Sequence, residues 1–213
     1  GDLIRVPGST SSLDKEKANG ASVKIVYSVL DALKIAKENP SKKVIFLGIG
    51  FETTAPGSAL GIAKAYEEKI NNFYLYSSHK IMPPAMAALI DEGVKIDGYI
   101  APGHVSTITG TAIYKDIPEK FGLGCVIAGF EPVDLLQAIY HAVLQLEKGE
   151  YKVENCYERL VKEEGNVPAQ NVVNEIFEIG EQEWRGIGKI PESGLVMKEK
   201  YKDFDASRKF DIS

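Results

Sequence analysis

Cysteine is scarce in this sequence. Only two cysteines, Cys125 and Cys156, occur among its 213 residues, and no CxxC pair is present. Two isolated cysteines cannot form a disulfide framework, and they cannot by themselves hold a metal cluster. The scarcity favours a reducing, cytoplasmic location, where thiols stay free.

Long hydrophobic runs and an excess of basic residues are also missing. The longest apolar stretches, for example around residues 44–47, reach about six residues, whereas a membrane-spanning helix needs roughly 18 or more. No charged and then apolar segment of the signal-peptide type opens the chain. The net charge is −5, and no basic stripe marks a nucleic-acid surface. We therefore expect neither a membrane nor a nucleic acid as a partner.

Strands and helices are predicted to alternate along most of the chain. Short apolar runs predict strands at 23–27, 43–49, 73–77, 98–101 and 124–128. Helical spacing predicts helices at 29–38, 55–69, 83–92, 105–114 and 132–148. Further on, the pattern predicts helices at 157–164 and 172–179 and a strand at 194–197. This alternation indicates βαβ units with right-handed crossovers, and so an α/β fold with a mainly parallel sheet.

The second predicted strand differs from its neighbours in its pattern. Residues 44–47 are apolar without interruption. In a parallel sheet such a run is typical of a strand that is buried on both faces. We therefore expect residues 43–49 to lie inside the sheet.

Loops that follow the carboxyl ends of parallel strands lie along one edge of the sheet, where ligands bind. Here these loops are rich in glycine and in polar residues, and they cover 50–57, 78–84, 102–107 and 129–134. His79 and His104 lie in them, whereas the third histidine, His141, falls in the middle of a predicted helix. His79 and His104 are therefore candidate functional residues, and His141 is more simply structural or exposed.

The tripeptide Gly-Phe-Glu occurs in two of these loops, at 50–52 and at 129–131. Each copy follows an apolar strand and precedes a helix. A glutamate at a helix start is favourable to the helix dipole and needs no further role. The matching context nevertheless makes Glu52 and Glu131 candidates for a function.

Hydroxyl and thiol side chains in the same region have simpler explanations. Thr53, Thr54 and Ser106 stand where they can cap helices by accepting backbone N–H groups. Cys125 lies inside an apolar strand, where a buried cysteine is ordinarily structural. Cys156 is near a predicted helix start and is more often inert than reactive.

Known catalytic motifs leave the chemistry open. The phosphate-loop pattern GxxxxGK[ST] and the nucleophile elbow GxSxG are both absent. Gly48 and Gly50 supply two glycines of the dinucleotide pattern GxGxxG, but Thr53 stands in place of the third. A Rossmann-like enzyme that binds a nucleotide phosphate with Gly48, Gly50 and Thr54 remains an alternative. Metal chemistry, anion binding and proton transfer all suit the carboxylates, hydroxyls and imidazoles of these loops.

Several longer stretches resemble the HypD family of hydrogenase maturation proteins. They are GDLIRVPGS at 1–9, GFETTAP at 50–56, SHKIMPPA at 78–85, PGHVSTITG at 102–110, GFEPVDLL at 129–136 and EGN at 164–166. The stretches occur in the family's order, and the resemblance runs the whole length of the chain.

The resemblance implies a scaffold in [NiFe]-hydrogenase maturation rather than a turnover enzyme. Family members support assembly of the Fe(CN)2CO group together with the chaperone HypC and with HypE, and they carry a redox-active [4Fe-4S] cluster. By this resemblance, the catalytic candidates are His79, His104, Glu52 and Glu131. The candidates for contact with the cofactor precursor are Thr53, Thr54, Gly103 and Ser106. No residue of this chain is assigned as a metal ligand.

The sequence also departs from the family. It lacks the Cys-Gly-Thr-His motif, the Gly-Pro-Gly-Cys-Pro-Val-Cys stretch and the carboxyl-terminal cluster cysteines. We therefore expect a central fragment that holds no cofactor, is inactive alone and is prone to self-association, or that serves only as a docking surface for a HypC-like partner.

The family has two similar α/β domains, and the resemblance implies how this chain divides between them. Residues 1–40 would complete the first domain, and residues 41–150 would form a central α/β domain. Residues 151–213 would return to the first domain as a helical segment and tail.

Overall fold

The computed structural model describes residues 2–210. Its strands are β1 (Val44–Gly50), β2 (Phe73–His79), β3 (Gly98–Pro102), β4 (Gly124–Ala128), β5 (Val153–Asn155), β6 (Phe177–Trp184) and β7 (Gly188–Met197). Its α-helices are α1 (Leu13–Ala18), α2 (Val29–Glu38), α3 (Ala55–Glu67), α4 (Met82–Asp91), α5 (Gly103–Thr109), α6 (Asp116–Phe121), α7 (Pro132–Lys148), α8 (Val167–Ile176) and α9 (Ala206–Lys209). Short 3-10 helices cover Asp2–Arg5, Ala112–Tyr114 and Glu199–Phe204.

The strands form three sheets. Strands β1 and β2 pair in parallel, strands β3, β4 and β5 form a parallel sheet in that order, and β6 and β7 form an antiparallel hairpin. Helices connect the parallel strands, so the α/β fold predicted from the sequence is confirmed. The hairpin was not predicted, apart from the last part of β7.

Local sequence signals account for the helix bounds. Ser28 and Asp31 form a capping box at the start of α2, because each side chain accepts a hydrogen bond from the other's backbone N–H. Pro132 stands in the first turn of α7, and Gly149 ends the helix in the left-handed conformation with φ of 65°. These two helices have the bounds that the sequence predicts.

Five predictions are corrected by the structure. Residues 43–49 do not lie inside a sheet, because β1 pairs with β2 alone among the described strands, and Ile45 and Ile49 are 42% and 44% exposed. Residues 23–27 form no strand, because no described strand pairs with them. Residues 157–164 form turns instead of a helix, because the Asn155 side chain binds the Tyr157 N–H and the Val161 carbonyl. The helix predicted at 105–114 ends at Thr109, because Gly110 turns the chain with φ of 79°. The helix predicted at 172–179 ends at Ile176, where β6 begins.

Two large hydrophobic clusters, and a smaller one of Val126, Ala128 and Ala138, stabilise the described part of the chain. The first joins α2, α3 and β2 to the late elements α8, β6 and β7, and Phe73, Leu75, Ile176 and Met197 are at its centre. The second lies around β3 and β4 and contains Tyr114, Ile117 and Ile127. The first cluster draws residues from all three predicted segments, and the domain boundaries near residues 40 and 150 stay predictions.

Among residues 2–210, no helix combines the length and the apolar character that crossing a bilayer requires.

Candidate functional site

The two Gly-Phe-Glu copies occupy matching places in the two parallel sheets. We call residues 50–52 the first corner and residues 129–131 the second corner. The first follows β1, whose last residue Gly50 is in register with His79 of β2. The second follows β4, which pairs with β3 just before His104. Each corner therefore lies beside a strand that leads into a histidine.

In the first corner, Glu52 anchors the next helix. Its Oε1 accepts a hydrogen bond from the Met82 N–H over 2.8 Å, at the start of α4. Its Oε2 is buried and has no hydrogen-bond partner among the described residues. Burial raises the pKa of Glu52, although the bond from Met82 acts in the opposite direction. Glu52 thus joins the first corner to the start of α4 through Oε1. Its Oε2 stays without a hydrogen-bond partner among the described residues.

His79 lies fully buried beneath the first corner. Its Nε2 is 3.1 Å from the Ser58 hydroxyl, and its Nδ1 is 3.1 Å from the Ser77 hydroxyl. Because Ser77 donates to the Leu195 carbonyl, it accepts from Nδ1–H, and Nε2 accepts from Ser58. Burial lowers the pKa of His79 to about 4. The ring is therefore neutral and fully hydrogen-bonded, and solvent does not reach it.

The β6–β7 hairpin covers the first corner. The rings of Phe51 and Trp184 lie 6.0 Å apart, and the Lys80 ammonium lies 5.7 Å from the Trp184 ring. Lys80 also donates to Gln182 Oε1 over 3.1 Å. Burial is the largest influence on the pKa of Lys80 and lowers it. The cationic side chain that follows His79 is thus tied to the hairpin.

The two threonines beside the first corner do not cap α3 as predicted. Thr54 stands at the cap position, but its hydroxyl donates to the Phe51 carbonyl over 3.0 Å, back into the corner. Thr53 is half-buried in the turn before α3. Gly50 has φ of 148°, and a Cβ there would lie 2.3 Å from Thr54 Oγ1. The Thr54 side chain therefore packs directly against Gly50 in this turn.

The second corner is open. Phe130 is 63% exposed, and its ring lies 5.1 Å from that of His104, which is also exposed. The Glu131 side chain is 77% exposed. Glu131 stands at the cap position of α7 and its side chain makes no capping bond. An imidazole at the start of α5 and an aromatic ring and a carboxylate of the second corner are therefore exposed to solvent side by side.

Gly103 and Ser106 lie beneath that surface rather than in it. A Cβ on Gly103 would lie 2.5 Å from the Ala128 carbonyl oxygen and 2.6 Å from the Tyr157 ring. The buried Ser106 hydroxyl donates to the Pro102 carbonyl over 3.0 Å and also lies 3.4 Å from the Tyr114 hydroxyl. Both residues hold α5 against β3 and β4, and so fix the position of His104.

An arginine that the sequence did not indicate holds the second corner in place. Arg159 donates two hydrogen bonds to Asp134, of 2.7 Å and 2.6 Å, and a third of 3.2 Å to Glu131. Its guanidinium lies 4.5 Å from the centre of the Tyr157 ring. The hydrogen bonds lower the pKa of Asp134 and raise that of Arg159. Asp134 lies in the GFEPVDLL stretch, but nothing in the sequence indicates that Arg159 forms an ion pair with it.

The cysteines do not fit an iron–sulfur cluster. Cys125 is fully buried inside β4, and burial raises the pKa of its thiol to about 12. Cys156 is half-buried, and burial raises the pKa of its thiol as well. A [4Fe-4S] cluster requires four thiolates at one place. Within residues 2–210, no group of three or more His, Cys, Asp and Glu residues is arranged to hold a metal ion.

Comparison with known proteins places the chain among hydrogenase maturation factors. It is 46% identical over 222 residues to hydrogenase maturation factor HypD2 of Bradyrhizobium diazoefficiens, covering 100% of this chain and 58% of the relative. A putative hydrogenase expression/formation protein of Methanocaldococcus jannaschii is 46% identical over 212 residues, covering 100% and 59%. Hydrogenase maturation factor HypD of Escherichia coli is 44% identical over 212 residues, covering 99% and 57%.

The chain thus spans under three fifths of the length of these relatives. The sequence model described as "HypD: Hydrogenase formation hypA family" matches residues 1–213. The match covers the whole chain, and the chain belongs to the HypD family.

Proposed function

We propose that this chain provides the open working surface of a scaffold for [NiFe]-hydrogenase maturation. The surface consists of His104, Phe130 and Glu131, with Arg159 and Asp134 holding it in shape. The iron group that receives cyanide and carbon monoxide is the substrate of this assembly, not a resident cofactor. The scaffold works in the cytoplasm with HypC and HypE, and its cluster is held outside this chain.

The difference in access between the two corners carries this proposal. The sequence predicts four catalytic candidates, and two of them are withdrawn from solvent. His79 is fully buried with both ring nitrogens occupied, and Glu52 anchors α4. Only His104 and Glu131 of the four are exposed. A substrate or a partner protein can therefore meet these two side chains without a change in the fold.

The chemistry of the open residues suits a scaffold. The His104 imidazole can donate a hydrogen bond or carry a proton. Phe130 lies against it and supplies an apolar wall. Glu131 shares Arg159 with Asp134, so its carboxylate is oriented although it is exposed. Preorganised groups of this kind hold a substrate in the geometry that its reaction needs.

The nucleotide-binding alternative is disfavoured at Gly48. A Cβ at this position would lie 2.7 Å from His79 Cε1 and 2.7 Å from Leu75 Cδ1. The glycine thus makes room for a buried ring, whereas the dinucleotide pattern uses it to approach a pyrophosphate. Titration of the chain with nucleotide is expected to give no saturable binding.

A chimaeric protein tests the proposal in its natural setting. This chain would replace the matching 57% of the Escherichia coli HypD, in cells that lack their own copy. The chimaera is expected to restore hydrogenase activity. His104→Ala should lower that activity by about a hundredfold or more, the scale on which a positioned proton-transfer group contributes.

Two variants serve as matched controls. His141→Gln changes a histidine on α7 that pairs with Glu154 at 3.0 Å, away from the second corner, and should keep the activity. His79→Gln changes the buried histidine and should act through protein stability and abundance alone. Full activity of the His104→Ala chimaera would contradict the proposal.

A further inference from the structure

The Glu-Gly-Asn stretch at residues 164–166 is not part of the proposed working surface, but it contacts the helix that carries His104. We call residues 164–166 the EGN segment. The helix, α5, extends from Gly103 to Thr109 and so has only about two turns. A helix of this length is marginal by itself in water, and its last carbonyl groups have no partner inside the helix. Its stability therefore depends on contacts from other parts of the chain.

The EGN segment and Gln170 bind the end of α5. The Asn166 N–H donates to the Ile108 carbonyl over 2.9 Å. The Gln170 side-chain amide donates to the same carbonyl over 2.7 Å, and to the Glu164 carbonyl over 2.7 Å. A carbonyl oxygen has two lone pairs, so both are used at Ile108. Gln170, near the start of α8, thus joins the end of α5 to the EGN segment.

Two glycines allow this close contact between the EGN segment and the end of α5. Gly110 and Gly165 both have left-handed backbones, with φ of 79° and 67°, which glycine adopts without a steric cost. A Cβ on Gly165 would lie 2.4 Å from the Gly110 nitrogen, and a Cβ on Gly110 would lie 2.0 Å from the Glu163 carbonyl oxygen. These neighbours are backbone atoms, which cannot rotate away as the end of a side chain can. The contact therefore requires glycine on both sides.

Ile108 connects this contact to His104. In an α-helix each N–H faces the carbonyl four residues earlier, so the Ile108 N–H faces the His104 carbonyl. The Thr107 hydroxyl donates to that same carbonyl over 2.7 Å. When the Ile108 carbonyl is held, the His104 backbone is held as well. The His104 ring then stays beside the Phe130 ring, 5.1 Å away.

We propose that Gln170 and the EGN segment position His104 by holding the end of α5. Gln170 is a positioning residue for the assembly reaction, because it acts through Ile108 and not on the substrate. This proposal rests on the role of His104 in the proposed function. Val172 and Val173 of α8 pack against the first hydrophobic cluster. The same contact therefore fixes the helix of His104 relative to that cluster.

Nuclear magnetic resonance of the 213-residue chain tests the position of the His104 ring. Gln170→Met removes both side-chain hydrogen bonds and keeps the length of the side chain. It should weaken the nuclear Overhauser contacts between the rings of His104 and Phe130. It should also speed hydrogen exchange at the α5 amides about tenfold, because a bond that holds this short helix is lost. Asn171→Met makes a similar change at the next, exposed position of α8 and should leave both signals unchanged.

Hydrogenase activity of the chimaeric protein tests whether this positioning matters for assembly. Gln170→Met should lower the activity about tenfold at unchanged protein abundance, because a displacement of about 1 Å in a reacting group is costly. In a chimaera that already carries His104→Ala, the same substitution should cause no further loss, since Gln170 acts through His104. A purely structural role of Gln170 would lower the activity by the same factor in both backgrounds.

Two results would overturn the proposal. They are ring contacts of His104 and Phe130 that Gln170→Met leaves unchanged, and an equal loss of activity with and without His104→Ala. Failure of the proposed function would be seen differently, as full activity of the His104→Ala chimaera. The ring contacts are measured in the chain alone, so they decide whether Gln170 positions His104 independently of that outcome.

Discussion

The same tripeptide, at the same place in two parallel sheets, has two different environments. The β6–β7 hairpin partly covers the first corner, where the Trp184 ring lies 6.0 Å from the Phe51 ring and Phe51 is 38% exposed. The second corner has no such cover among the described residues, and Phe130 is 63% exposed. The neighbouring histidines differ in the same way, since His79 is buried and His104 is exposed. Repeated sequence therefore does not establish repeated function, because the cover comes from elsewhere in the chain.

The two glutamates show what that cover changes. Glu52 turns inward, binds the start of α4 and has a raised pKa because of burial. Glu131 turns outward and shares Arg159 with Asp134. The first carboxylate holds two elements together, and the second is presented to the outside. Three sets of variants test the difference between the two corners.

The largest expected effect concerns the buried histidine of the first corner. The pKa of His79 is lowered from 6.5 to about 4 when the chain is folded. As pH falls through this interval, the unfolded chain binds a proton that the folded chain does not bind. The free energy of unfolding should therefore fall by about 3 kcal/mol on account of this one group. Urea unfolding of the original chain and of His79→Gln, across this pH range, measures the difference.

The pH range above 7 serves as the control for this measurement. Above pH 7 the imidazole is neutral in both states, so the original chain and His79→Gln should have parallel pH dependences. Below that value, only the original chain should lose stability through this group. Parallel curves over the whole range would mean that His79 takes up its proton while folded, and the contrast with His104 would then be lost.

An intermediate effect is expected at the first glycine of each corner. Gly129→Ala should cost about 2 kcal/mol, because a Cβ would lie 2.1 Å from Asp134 Oδ2 and 2.6 Å from the Tyr157 ring. In a Tyr157→Leu background this cost should shrink by about 1 kcal/mol, since part of the crowding is removed.

Gly50→Ala should also cost about 2 kcal/mol, for a different reason. Gly50 has φ of 148°, which an alanine adopts only under strain. Most of the cost should therefore persist in a Thr54→Ala background, which relieves the 2.3 Å approach to Thr54 Oγ1 but not the backbone strain. Chemical unfolding of the two double-mutant cycles measures both terms. If the second substitution reduced the destabilisation by the same amount in both corners, the two glycines would be required for the same reason.

The smallest effect is expected at the two phenylalanines. Phe51→Ala should cost about 1 kcal/mol, because it loses the contact with Trp184. Phe130→Ala should change stability by no more than about 0.5 kcal/mol, because its ring is mostly in water. Urea denaturation measures both. A larger cost at Phe130 than at Phe51 would reverse the assignment of covered and open corners.

The sequence predicts the α/β framework where glycine, proline and capping residues mark the ends of elements. Helix α7 has its predicted bounds because Pro132 opens it and Gly149 closes it. The β6–β7 hairpin was mostly missed because the segment FEIGEQEW in β6 is largely polar and exposed. The strand predicted at 23–27 has the right composition, but a strand also needs a partner.

The candidate site was predicted only as a set of loops. Sequence spacing placed Glu52, His79, His104 and Glu131 after strands. The structure has Glu52, His104 and Glu131 there, whereas His79 is the last, buried residue of β2 and not part of a loop. The sequence could not show which of these residues is accessible, because the β6–β7 hairpin beside the first corner lies more than 100 residues further along the chain. Arg159 had no local signal at all, since its ion pair with Asp134 depends on how the turns after β5 fold back over α7.

The bond between Glu52 and the start of α4 has a mechanical consequence. Helix α4 lies between β2 and β3 along the chain and so bridges the two parallel sheets. At the other side of the helix, the Tyr99 hydroxyl of β3 donates to the Met86 carbonyl of α4 over 2.9 Å. A shift of α4 at its Glu52 end would therefore also disturb β3, which leads directly into α5 and His104.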